Sequence, residues 1–177
     1  MKLLRTIRLD PSDTFVFDRA AEPGEWAVPG GFAFFAAGEE LAGKQRTAFR
    51  SGFLGVESLG WSTLVQVVEA GEGDRTALVD RLAQQLVARF GAPDLATARI
   101  AAEEEVAFAA PLADHPRDTI VAVHRSRQDG DVRETFRTLR PREGQKSLRA
   151  FAFMEVEGED EPDDTVDLVG LAQETRK

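Results

Sequence analysis

Between positions 78 and 90 the apolar residues Leu78, Leu82, Leu86 and Phe90 recur every fourth residue, with Val79, Ala83 and Val87 beside them. That period belongs to one face of an amphipathic helix and cannot be satisfied by a strand. Asp74 is the expected N-cap, and Gly91 followed by Pro93 the expected stop. A second helical run starts near Asp94, passes through Leu95, Ala98, Ala102, Val106 and Ala109, and is limited by Pro111. Its alanines predict a helix lying close against its neighbour.

The segments on either side read as strands. Upstream these are Leu3 to Leu9, the pair Phe15 and Phe17, the run Phe32 to Phe35, Gln45 to Leu54, and Trp61 to Glu69. Glu22-Pro23-Gly24 and Pro29-Gly30-Gly31 interrupt them, and Gly38 to Gly43 reads as a loop or short helix. Downstream, Ile120 to Val123 is a short apolar run of the kind that forms a buried strand. Asp129-Gly130 is a type I′ hairpin signal. With those two residues as the turn, Val123 faces Phe136 and Arg125 faces Glu134, while Ala122, His124, Arg133 and Arg137 share the other face. Leu148 to Val156 makes a further strand. Strands, two consecutive helices, then strands again predict an α+β domain with a mostly antiparallel sheet, because a doubly wound parallel fold needs a helix between successive strands. The expected division is one domain over 1–157 and an acidic tail over 158–177, with Val166 to Ala172 as a possible short helix.

Composition removes several functions. The chain has 177 residues, enough for one closed core, and a formal net charge of -9. That charge opposes a general nucleic-acid binder. The absence of cysteine removes disulfides, thiolate catalysis and zinc–thiolate or iron–sulfur sites. No apolar run has the length of a membrane span, and the charged start from Lys2 to Asp10 does not read as a secretory signal, so a cytoplasmic location is expected.

No catalytic, metal or cofactor motif stands out, and neither a cofactor nor an enzymatic activity is expected. Gly71-Glu72-Gly73 lacks the third glycine of a dinucleotide fingerprint, and Glu72 and Asp74 would repel an anion there. Glu103, Glu104 and Glu105 point in three directions around a helix, which suits a solvated face better than a metal site. His115 and His124 have no partner at a ligand spacing, and no Gly-x-Ser-x-Gly elbow exists. The strongest signal is charge: from Arg125 to Arg149 eight bases stand against four acids, followed from Glu155 to Glu174 by nine acids and no base. An ordinary charged hairpin with a solubilising tail gives that pattern, and so does an arginine face that the tail covers until a partner competes. Arg125, Arg133, Arg137 and His124 are therefore the partner- or anion-binding candidates. Trp26, between Gly24 and Pro29, is a further candidate as an exposed anchor or as an aromatic folded over the core.

Leu3 to Asp10, Phe15-Val16-Phe17-Asp18 and Trp26 to Phe32 resemble an uncharacterised bacterial family with no assigned activity. Such proteins are similar to small accessory proteins associated with molybdenum enzymes of the formate dehydrogenase type, and the resemblance implies no catalytic residues. The expected function is a non-catalytic accessory or protein-binding domain that docks on a larger protein and assists its maturation or assembly. The alternative is a small-molecule-binding protein or an enzyme acting on an anionic metabolite, with Arg133, Arg137 and His124 in a pocket.

Overall fold

The structure, a computed structural model, describes residues 1–37, 40–141 and 154–157. Its main sheet contains β1 (Lys2–Ile7), β5 (Leu64–Glu69), β6 (Ile120–Gln128), β7 (Asp131–Pro141) and β8 (Met154–Glu157), in the order β1-β5-β6-β7-β8. Every pairing in it is antiparallel. A smaller antiparallel sheet joins β2 (Ala27–Val28), β3 (Phe53–Gly55) and β4 (Trp61–Ser62). The architecture is α+β, as the order of periodicities implies.

The two central helices are α3 (Glu72–Arg89) and α4 (Leu95–Ala113). They pack along each other, and α4 lies against β1, β5 and β2. Leu78, Val79, Leu82, Ala83 and Leu86 of α3 meet Ala98, Ala102 and Val106 of α4 in one part of the core. Further along α4, Ala109 and Ala113 pack with Leu4, Phe53, Val65, Val67, Val121 and Val123. The alanine row thus allows α4 to sit close to both the sheet and α3.

Helix ends follow local chemistry with two adjustments. Gly71 is the N-cap of α3, and Asp74 sits one turn in, accepting from the Gly71 N–H. Asp94 caps α4 as expected, accepting from the Thr97 N–H at 2.7 Å. Gly91 takes φ 76°, and the following Ala92 N–H reaches back to the Leu86 carbonyl. Pro111 removes one hydrogen bond yet lies inside the last turn, so α4 runs past it to Ala113.

The upstream segments differ from their strand reading in three places. Phe15 lies in a short helix, α1 (Ser12–Val16), fastened by buried Asp13, which accepts from the Thr63 N–H and hydroxyl. Phe17 is buried while Phe15 is exposed, so the pair does not share a strand face. Residues Gly31–Phe34 form a 3-10 turn, which stacks Phe34 on Trp61 at 4.9 Å. Most of Gln45 to Leu54 is a helix, α2 (Gly43–Ser51), followed by β3. Lys44, Gln45, Arg46, Ala48 and Arg50 are good helix formers, and helical phase buries Ala48 and Phe49 while exposing Arg46 and Arg50. The acidic tail and most of the 148–156 run lie outside the described residues.

Candidate functional site

The hairpin of β6 and β7 turns at Asp129 and Gly130, which both take positive φ (53° and 86°). This turn fixes the register: Val123 opposes Phe136, Arg125 opposes Glu134, Ser126 opposes Arg133 and Ala122 opposes Arg137. Opposed residues share a face, so His124, Arg133 and Arg137 lie together on the outer face, where all three are exposed.

Arg125 lies on the inner face and is fully buried, which removes it from any partner surface. Its guanidinium pairs with Glu134 and donates to the Pro29 carbonyl, to Phe49 O at 3.1 Å and to Gly52 O at 2.6 Å. One side chain therefore joins the β6–β7 hairpin, the Pro29-Gly30-Gly31 turn and the end of α2. Arg127 follows the same course at the margin. It lies over the Phe49 ring and donates to the carbonyls of Phe34 and Ala37.

Glu105 completes this interior arrangement, and the solvated reading of the Glu103–Glu105 run fails for it. Its carboxylate accepts from the Gly30 N–H at 2.8 Å. Burial pushes its carboxyl above the usual carboxylate range, against that hydrogen bond; Glu134 adds to the rise and Arg125 opposes it. Burial likewise lowers the Arg125 guanidinium from its ordinary value, with Glu134 opposing. Glu103 instead pairs with Arg75 at 2.6 Å, and Glu104 is exposed. The helical spacing Ala98, Ala102, Glu105, Ala109 was the signal that could have singled out Glu105.

The glycines of the Pro29-Gly30-Gly31 turn are required by this packing. Gly30 takes φ 75°, and a Cβ there would lie 2.5 Å from Leu54 Cβ. A Cβ on Gly31 would lie 2.8 Å from Glu134 Oε1. Trp26, just upstream, is half-buried against the core with the Arg5 guanidinium 3.8 Å from its ring centre, so it folds inward and is no free anchor.

Two open surfaces adjoin these elements. The first is a groove of about 310 Å³ between α2 and β6, lined by Leu41, Arg46, Phe49, Arg50, His124, Arg125, Ser126 and Arg127. It exists because β5 pairs with β6 only as far as Ala122, leaving the continuation of β6 for α2 to pack against. His124 thus meets Arg46 and Arg50 here, whereas Arg133 and Arg137 do not line the groove. Reading Gln45 to Leu54 as a strand hid Arg46 and Arg50, which stand one helical turn apart.

The second surface is the outward side of α4. Ala96, Ile100, Glu104 and Phe108 stand at four-residue spacing and are all exposed, flanked by exposed Ala101, Ala107 and Pro111. Ile100 is 63% exposed and Phe108 50%. The outward side of α3 carries Thr76, Gln84 and Arg89, with Arg75 and Arg81 in ion pairs, and its exposed apolar residues Val87 and Phe90 are less open than Ile100 and Phe108.

Among the described residues no group of His, Asp or Glu side chains could hold a metal ion, and no helix is long and apolar enough to cross a membrane. A family model described as a family of unknown function, DUF6505, matches residues 1–158, and the chain belongs to that family. No curated protein and no solved structure matches it.

Proposed function

We propose that this member of a family of unknown function is a non-catalytic binding domain that docks on a larger protein through the outward side of α4. The observation that carries the reading is the exposed row of Ile100 and Phe108 on a helix whose opposite side is already fully used in the core. Exposed single apolar residues are ordinary, but Ile100 and Phe108 stand aligned on the solvent side of a helix whose other side packs in the core, and we read that pair as an interaction surface. The interior charges fit the same reading. Arg125, Glu134 and Glu105 are engaged with one another's neighbourhood and with backbone groups, an arrangement that rigidifies a scaffold. The resemblance carried by residues 3–32, to a family similar to accessory proteins of molybdenum enzymes, suggests a maturing or assembling enzyme as the partner class.

The test is isolation of the tagged full chain from its own cells at low salt, with Ile100→Glu and Phe108→Glu combined as the variant. Ile100 faces outward, so its change should cost about 0.5 kcal/mol or less, whereas Phe108 also meets the Phe136 ring edge-on at 6.3 Å and its change should cost about 0.5–1.5 kcal/mol. The wild type should elute with a stoichiometric larger protein, and the folded variant should elute alone. Retention of that protein by the variant would refute the α4 surface.

A further inference from the structure

We infer that the groove between α2 and β6 is a binding site for a small phosphorylated molecule, independent of the α4 surface. The nine residues of α2 carry Lys44, Arg46 and Arg50 and no acid, in a chain of net charge -9. Among the described residues no carboxylate lines the groove. Arg46 and Arg50 come to it from one helix, and His124 and Ser126 from the strand. Arg50 and His124 have no side-chain hydrogen bond or ion pair among the described residues, and Arg46 uses only its Nε, donating to the Leu41 carbonyl.

Packing then makes the site tolerable for an anion. The C-terminal end of a helix carries partial negative charge and would ordinarily repel one. Here Phe49 O in the last turn of α2 and Gly52 O at its C-cap accept from the buried Arg125 guanidinium, which offsets part of that negative charge. Arg127 also lines the groove and keeps a buried Nε donor with no acceptor. Buried donors are nearly always satisfied, and an anion oxygen is a suitable acceptor.

Geometry favours phosphate over carboxylate. Two guanidiniums, an imidazole and a hydroxyl approach from two elements, which suits a tetrahedral group with several acceptor oxygens, whereas a planar carboxylate is served by a single guanidinium fork. Phe49 and Leu41 supply an apolar wall for the organic part, and about 310 Å³ fits a small metabolite.

The experiment is calorimetric titration of the full chain with pyrophosphate and with a nucleoside monophosphate, against sodium chloride at matched ionic strength. Sub-millimolar binding is expected, weakened at least tenfold by Arg50→Ala and by His124→Ala, and unchanged by Arg133→Ala, which lies off the groove. Thermal melting of each variant separates lost binding from lost folding. A second chain, with Glu159, Asp160, Glu161, Asp163 and Asp164 changed to their amides, controls for competition by the chain's own acidic segment. Absence of phosphate binding in both chains overturns the proposal. So does binding that Arg50→Ala and His124→Ala leave intact in folded protein. Preference for a polyglutamate peptide over both phosphate probes would also overturn it, in favour of a protein-borne anion.

Discussion

Replacing Arg125 by alanine should nearly unfold the domain, although nothing in its sequence neighbourhood, His124-Arg125-Ser126-Arg127, distinguishes it from a surface arginine. The side chain is fully buried, and its guanidinium serves Glu134 and the carbonyls of Pro29, Phe49 and Gly52. Removing one member of a buried ion pair costs about 3–5 kcal/mol, because the other charge stays buried and unpaired. Glu134 retains only 13% of its side-chain exposure, so it is close to that limit. Each carbonyl left without a donor adds on the order of 1 kcal/mol where water cannot replace the arginine. A loss of roughly 4–7 kcal/mol consumes most of the 5–15 kcal/mol that holds an ordinary domain folded. Urea unfolding followed by the fluorescence of Trp26 and Trp61 measures it directly, since Trp61 packs on Phe34 beside this junction. Combining Arg125→Met with Glu134→Leu should recover the portion owed to the stranded carboxylate and leave the carbonyl portion. Arg133→Ala, one strand away on the exposed face, should change stability by about 0.5 kcal/mol or less. A loss below about 1 kcal/mol for Arg125→Ala would refute the buried junction.

Three further perturbations test neighbouring parts. Glu105 has a carboxyl pKa raised by burial, so the folded chain holds that proton more tightly than the unfolded chain. Its contribution is therefore complete below the unfolded pKa and is lost as pH rises through the raised one; Glu105→Gln should flatten that part of a stability-versus-pH curve measured by thermal melting. Gly30→Ala must strain a positive-φ site and move Leu54, and should cost more than 1–2 kcal/mol by chemical denaturation, on the order of an overpacked core site. Asp94→Ala removes the acceptor for Thr97 N and should cost about 1 kcal/mol by the same assay.

What was legible in the sequence follows the strength of local signals. The α3 stripe, the Asp94 cap and the Asp129-Gly130 turn are each dictated by a few adjacent residues, and the hairpin register they imply is the observed one. The α2 segment was not legible in that way. Ala48 and Phe49 are its two buried residues and give no period, and only its packing on β6 selects the helix. Arg125 shows the same limit at the candidate site. Alternation placed it opposite Glu134, yet its burial depends on three carbonyls contributed from 73 to 96 positions away. Arg46 and Arg50 meet His124 only because β5 stops pairing at Ala122 and α2 takes its place. The apolar α4 row was visible as letters, but its meaning required knowing which side the core had already claimed.

The docking role of α4 is tested most directly by hydroxyl-radical footprinting of Ile100 and Phe108, in the isolated full chain and in the complex recovered from its cells. Both side chains should be readily oxidised in the lone chain and strongly shielded in the complex, with Phe15, exposed elsewhere, reacting equally in the two. Equal reactivity of Ile100 and Phe108 in both samples, or shielding already complete in the lone chain, would contradict it.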